Sequence, residues 1–173
     1  MAIREILLLG NPVLRQRCTA VRAPRSEETK HIVTDLRDTL ADFRSRHGFG
    51  RGIAAPQIGT SQKIIYVNAD YTGALINPVI TKKSRTRFRL WDDCFSFPDL
   101  LAYVQRNYSI EVTFTDEEGK RRSLKAKGAF SELLQHELDH LDGILAIDRA
   151  LDSRHIILRS EYEKLAHAKP PVL

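Results

Sequence analysis

The stretch "LLQHELDHLDG", Leu133–Gly143, decides how the rest of the chain must be arranged. Together with Phe130 it places Leu133, Leu134, Leu138 and Leu141 at helical spacing, and Gly143 stands where a helix would end. His136 and His140 lie one turn apart on that helix, so two imidazole nitrogens can aim at one point with Glu137 beside them. A helix with an apolar stripe and a polar, metal-competent side needs structure packed around it.

The flanking sequence supplies that structure. Upstream, "KIIYV", "ALINPVI", "NYSIEVTFT" and "SLKAK" read as strands, separated by turn residues Gly73 and Pro78 and by a "DEEGK" hairpin. Further upstream, Ser26 is placed to cap a helix that opens with Glu27 and Glu28 and carries Ile32, Leu36, Leu40 and Phe43 on one stripe. "GNPVLRQR" opens as a turn, and three glycines interrupt regular structure from Gly48 to Gly52. Asp152 to His167 reads as a last helix, stopped by Pro170 and Pro171. The expected fold is α+β: small antiparallel or mixed sheets packed around the central histidine-bearing helix, with an N-terminal and a C-terminal helix.

With 173 residues, 42% of them apolar and 28% charged, and no repeat or linker, the chain reads as one globular domain spanning residues 1–173. The longest apolar run near the start, Ile6–Leu9, is too short for a signal peptide or a membrane span. The two cysteines, Cys18 and Cys94, are far apart, which fits thiols in a reducing cytoplasm and no membrane association. The formal charge of +5 is modest, but five basic residues fall between Lys82 and Arg89. On a single strand Lys83, Arg85, Arg87 and Arg89 would share one face, which is either a solvated surface or a patch that touches RNA.

Two histidines leave a metal short of a third protein ligand. Ala146 occupies the position at which one protease pattern carries a third histidine, so that completion fails. Glu161 and Glu163 stand at about the distance of another pattern, and Cys94 in "WDDCFSFP" is the third candidate.

Three stretches taken together bear on that choice. "GRGIAAPQIG" (Gly50–Gly59), "DDCFS" (Asp92–Ser96) and "QHELDHLDG" (Gln135–Gly143) resemble, in order and separation, the signature motifs of the peptide deformylases. Weaker matches, "NPVLRQRC", "LINP" and "GILAIDR", extend the resemblance over roughly residues 5–152. It implies an amide hydrolase that removes the formyl group from formyl-methionyl nascent peptides. Its cofactor would be one divalent metal per chain, Fe2+ in the cell, with Zn2+, Ni2+ or Co2+ in preparations. By the same resemblance Cys94, His136 and His140 hold the metal, Glu137 is general base and then general acid, and the Gln57 side chain and Phe95 backbone N–H stabilise the oxyanion. Gly50, Arg51, Gly52, Leu101, Glu132 and Leu133 would line the substrate groove. The protein would act as a cytoplasmic monomer that touches ribosomal RNA through its basic surface.

The chain departs from the family pattern in particular places. Asp92 and Asp93 stand where the second motif usually reads Glu-Gly; Asp92 would need a close partner such as Arg106, and Asp93 would weaken the metal's pull on water. Arg51 and Glu132 replace apolar residues, and Leu101 replaces a frequent arginine. Two other functions compete with deformylation: a non-catalytic, metal-containing relative that binds the ribosome, and a metallopeptidase with Glu161 or Glu163 as ligand.

Overall fold

Ser26 caps the first helix, α1 (Glu27–His47): its Oγ accepts from the Thr29 backbone N–H at 3.2 Å. Glu27 and Glu28 face the positive end of the helix, and Gly48, at φ 77°, ends it. Val33, Leu36, Leu40 and Phe43 form the buried stripe, packed on Ile53, Ile64 and Ile76. The structure, a computed structural model, describes residues 3–167.

Seven strands and a second helix follow. They are β1 (Gly52–Ala54), β2 (Ile64–Asn68), β3 (Thr72–Lys83), β4 (Arg87–Asp93), β5 (Leu100–Asn107), β6 (Ser109–Thr115), β7 (Arg121–Lys127) and α2 (Gly128–Leu141). A short strand β8 (Ile156–Leu158) and helix α3 (Arg159–His167) complete the described residues. Five strands form one sheet in the order β1-β2-β3-β6-β7 and three form another in the order β4-β5-β8; every strand pairing is antiparallel. The α+β architecture around the histidine-bearing helix is therefore as expected.

The apolar stripe of α2 packs on the larger sheet: Phe130, Leu133, Leu134 and Leu141 meet Ile65, Val67, Leu75 and Val112. Another side of the helix faces the end of β4 and the residues just after it, which is what brings the histidines to Asp92 and Cys94. Gly143 follows α2 at φ 73°, and a Cβ there would lie 2.5 Å from the Arg15 carbonyl oxygen, so only glycine fits. Leu141 O, one of the helix's last carbonyls, accepts from the Cys18 N–H at 2.8 Å.

Three local expectations need correction. Gly73 and Pro78 do not separate strands; both lie inside β3, where a register shift between Ile76 and Val79 relieves the ladder at the proline. Asn77 takes φ 51° at this bulge, held by its side chain, which accepts from Val21 N at 2.8 Å and donates to Val21 O at 2.9 Å. The basic run is not one strand either. β3 ends at Lys83 and β4 begins at Arg87, with Ser84 Oγ donating to Thr86 O at 2.7 Å in the turn between. Finally, the segment from Asp152 is not helical throughout. Ile156–Leu158 joins β5 as an edge strand, and only Arg159–His167 is helix. Pro170 and Pro171 lie outside the described residues. Among the described residues no helix is long and apolar enough to cross a membrane.

Candidate metal centre

Because Cys94 follows the last residue of β4 and the histidines come from α2, three donor atoms from two elements converge. Cys94 Sγ lies 3.3 Å from His140 Nε2, which lies 3.1 Å from His136 Nε2. All three residues are buried, and their ligand atoms fall within 4.8 Å of one another. In a tetrahedral site two imidazole nitrogens at about 2.0–2.1 Å from one ion stand roughly 3.3 Å apart, so the spacing fits a single divalent cation. Glu161 does not join this group; it is half-exposed and paired with Lys164 at 2.6 Å. Exposed Glu163 does not join it either.

A layer of charge behind the donors orients them. His136 Nδ1 is 2.8 Å from Asp92 Oδ1, and Arg106 donates to Asp92 Oδ2 at 3.0 Å. Arg106 also reaches Asp139, which Arg149 holds from the surface side at 2.7 Å. Burial disfavours a charge on Asp92, but His136 and Arg106 outweigh it and hold the carboxyl well below its usual range. An ionised Asp92 accepts from His136 Nδ1–H and leaves Nε2 free for a metal. Burial, reinforced by His136, pushes His140 well below the usual imidazole range, so it stays neutral, the state in which an imidazole can bind a metal. The shortened Asp92 thus has the partner expected for it.

Glu137 is buried, and its Oε2 has no hydrogen-bond partner. Burial pushes its carboxyl up to about 7; His136 opposes this, and Glu132 and Asp92 add to it. A carboxyl poised there can both take and return a proton near neutral pH. Its other oxygen occupies space that a side chain on residue 52 would need: a Cβ on Gly52 would lie 2.7 Å from Glu137 Oε1. Gln57 is similarly constrained. Its Oε1 accepts from Ala54 N at 2.9 Å, which turns Nε2 toward Cys94 Sγ at 3.5 Å and Ser96 Oγ at 3.2 Å.

These groups open on a cleft of about 480 Å³. Of the twelve residues singled out in the sequence, ten line it; His140 lies behind its neighbours, and Leu101 is buried between β4 and β8 without reaching the cleft. Arg51 donates to Glu132 Oε2 at 2.8 Å and to Ala129 O at 3.1 Å, so the two unusual charges answer each other across one wall. Phe95 stacks on Phe43 with ring centroids 3.8 Å apart, and a Cβ on Gly50 would strike that same ring at 2.7 Å. Asp93 lines the cleft as well and accepts from Arg159 at 2.7 Å. Sequence reasoning missed Arg159, because it lies beyond the three motifs in a polar segment; the one signal was an aspartate without an assigned cation.

The family model described as polypeptide deformylase matches residues 3–155. The peptide deformylase of Leptospira biflexa is 36% identical over 163 residues, 86% of this chain and 88% of that protein. That of Thermomicrobium roseum is 36% identical over 179 residues, 97% of this chain and 98% of that protein. Among solved structures, the Thermotoga maritima peptide deformylase superposes with a TM-score of 0.80 at 30% identity, covering 88% of this chain and all (100%) of that one. The Synechococcus elongatus peptide deformylase in complex with actinonin does so with a TM-score of 0.80 at 28% identity, covering 99% and 95%.

Proposed function

The chain belongs to the polypeptide deformylase family, and from that premise we propose how its own residues share the work of removing the N-formyl group from nascent peptides. The observation that carries the reading is the convergence of Cys94, His136 and His140 on one point beside the unpartnered carboxylate oxygen of Glu137.

Cys94, His136 and His140 would hold one divalent cation, and a mixed thiolate–imidazole set suits Fe2+ in the cell and Zn2+, Ni2+ or Co2+ as substitutes. When bound, the cation supplies Lewis acidity, which draws the pKa of water toward neutrality and polarises the formyl oxygen. Glu137 takes the proton of the attacking water as oxygen bonds to the formyl carbon. It returns that proton to the peptide nitrogen as the C–N bond breaks, leaving a free amine and formic acid, which gives up its proton to become formate. Gln57, locked by its bond from Ala54 N, points its amide N–H groups at the site and donates to the formyl oxygen as negative charge builds there. The Phe95 backbone N–H is the second donor. The segment Gly50–Gly52 runs beside the extended substrate, while Glu132 and Leu133 on α2 form the opposite wall.

The protein acts as a monomer in the cytoplasm. The turn that carries the chain from β3 in one sheet to β4 in the other exposes Lys83, Arg85, Arg87 and Arg89, which have no ion-pair partner among the described residues and suit an RNA backbone on the ribosome. The direct test is formate release from a formyl-Met peptide by Fe2+-loaded protein. Turnover that Glu137→Ala abolishes is expected; equal formate from both proteins would sink the assignment.

A further inference from the structure

Asp93 and Arg159 are brought together by strand pairing. On β5, Leu101 lies opposite Asp93 of β4 on one side and opposite Ile157 of β8 on the other. Since α3 follows β8 without a break, its first residue, Arg159, arrives at the cleft beside Asp93.

The guanidinium is fixed there from three directions. Nε donates to Pro98 O at 2.7 Å, NH2 donates to Asp93 Oδ2 at 2.7 Å, and the plane lies over the Phe49 ring with Cζ 4.9 Å from its centroid. The Arg159 backbone N–H is held as well, by Asp99 O at 2.8 Å. Of the five N–H bonds an arginine carries, two are used; the others have no partner among the described residues, and the side chain lines the cleft wall. A partly exposed ion pair contributes little to stability, so this much anchoring is better explained by preorganisation for a ligand.

The chemistry of that ligand follows from the charge. Asp93 largely neutralises Arg159, which disfavours a phosphate or carboxylate and leaves directed donors for a neutral acceptor such as a peptide carbonyl. Asp93 directly precedes Cys94, so the guanidinium stands on the order of 10 Å from the metal donors, about three residues of extended chain.

We propose that Arg159, held by Asp93, Pro98 and Phe49, is a substrate-positioning residue that donates hydrogen bonds to a backbone carbonyl two or three residues beyond the formylated one. The proposal rests on the deformylase reading and gives Asp93 a role: it aims a cation along the peptide instead of damping the metal.

The test compares KM and kcat for C-terminally amidated formyl-Met-Ala-Ala-Ala with those for formyl-methionine amide, which is too short to reach Arg159. In the wild type the longer substrate should have the lower KM. In Arg159→Gln that advantage should shrink by about tenfold, the expected effect of losing hydrogen bonds from a charged donor, with the change in KM rather than kcat. Arg159→Lys should restore part of it. Asp93→Gly should favour the free-acid tetrapeptide over its amide, because an unneutralised guanidinium selects carboxylate. An Arg159→Gln effect of equal size on both substrates, or none on either, would overturn the proposal even with deformylation intact. A wild type that releases no formate from either substrate would instead overturn the deformylase reading, and this inference with it.

Discussion

Asp92→Asn asks whether the charge behind His136 does the orienting that the geometry implies. The carboxylate serves two donors at once, His136 Nδ1 at 2.8 Å and Arg106 at 3.0 Å, in a site where Asp92 is 3% exposed. An amide of the same size has one acceptor oxygen, so whichever donor meets its NH2 group faces another donor. Loss of such an outer partner typically costs ten- to a hundredfold in metal affinity, about 1.4–2.7 kcal/mol. Arg106 keeps Asp139 as a partner, so the stability loss should fall below the roughly 3–5 kcal/mol of a buried charge left wholly alone, at about 2 kcal/mol. The sign with pH follows from the lowered pKa of Asp92 in the fold. In metal-stripped protein its contribution is fully present above about pH 4, the ordinary carboxylate value, and is lost as pH falls through the lower native one. Competition with a chromophoric chelator measures the first quantity, and urea unfolding of the stripped protein at pH 7 and pH 3 measures the second. Metal affinity within twofold of wild type, or a stability gap that widens in acid, would show that the Asp92 charge does not orient His136.

Three further outcomes follow from single residues. Gly52→Ala places a methyl 2.7 Å from Glu137 Oε1 without a backbone penalty, so formate release should fall by a hundredfold or more, on the order expected for displacing a catalytic group by about 1 Å, while the unfolding midpoint hardly moves. In stripped protein Glu137→Gln should be the more stable form at pH 8. The raised carboxyl, at about 7, makes the wild type lose stability as pH rises from its unfolded value, by up to roughly 3 kcal/mol, and the gap should close at pH 4. Equal unfolding curves at both pH values would contradict that burial. Gly143→Ala combines φ 73° with a contact of 2.5 Å to the Arg15 carbonyl, so calorimetry should show a loss of at least about 2 kcal/mol and a weakened metal helix; a shift of under 1 °C would show that the loop yields.

The parts of the fold that were legible in the sequence are those set by local chemistry. Ser26 and Gly48 bracket α1, the leucine spacing of α2 marks its packed stripe, and the two histidines one turn apart lie side by side on that helix. The parts that were not legible are set by partners distant in sequence. Ile156–Leu158 is a strand because β5 offers it an edge, whereas its own neighbours are polar and read as helix. Pro78 sits inside β3 because Asn77 reaches across to Val21, a contact 56 residues away in sequence. The turn between β3 and β4 lacks glycine and proline, so the basic run looked continuous. For the candidate site, the spacing of the histidines left three possible third ligands, and only the motif around Cys94 pointed to one of them. Arg159 was invisible because its meaning depends on Asp93, which is 66 residues away in sequence.

Cys94 would complete the metal centre begun by the two histidines of α2. Anomalous-difference density from crystals of metal-loaded protein would reveal the ligands of the ion. One peak per chain is expected, about 2.3 Å from Cys94 Sγ and about 2.0–2.1 Å from the Nε2 atoms of His136 and His140, open toward Glu137. A peak that leaves Cys94 unbound, or that takes a glutamate of α3 as its third ligand, would contradict it.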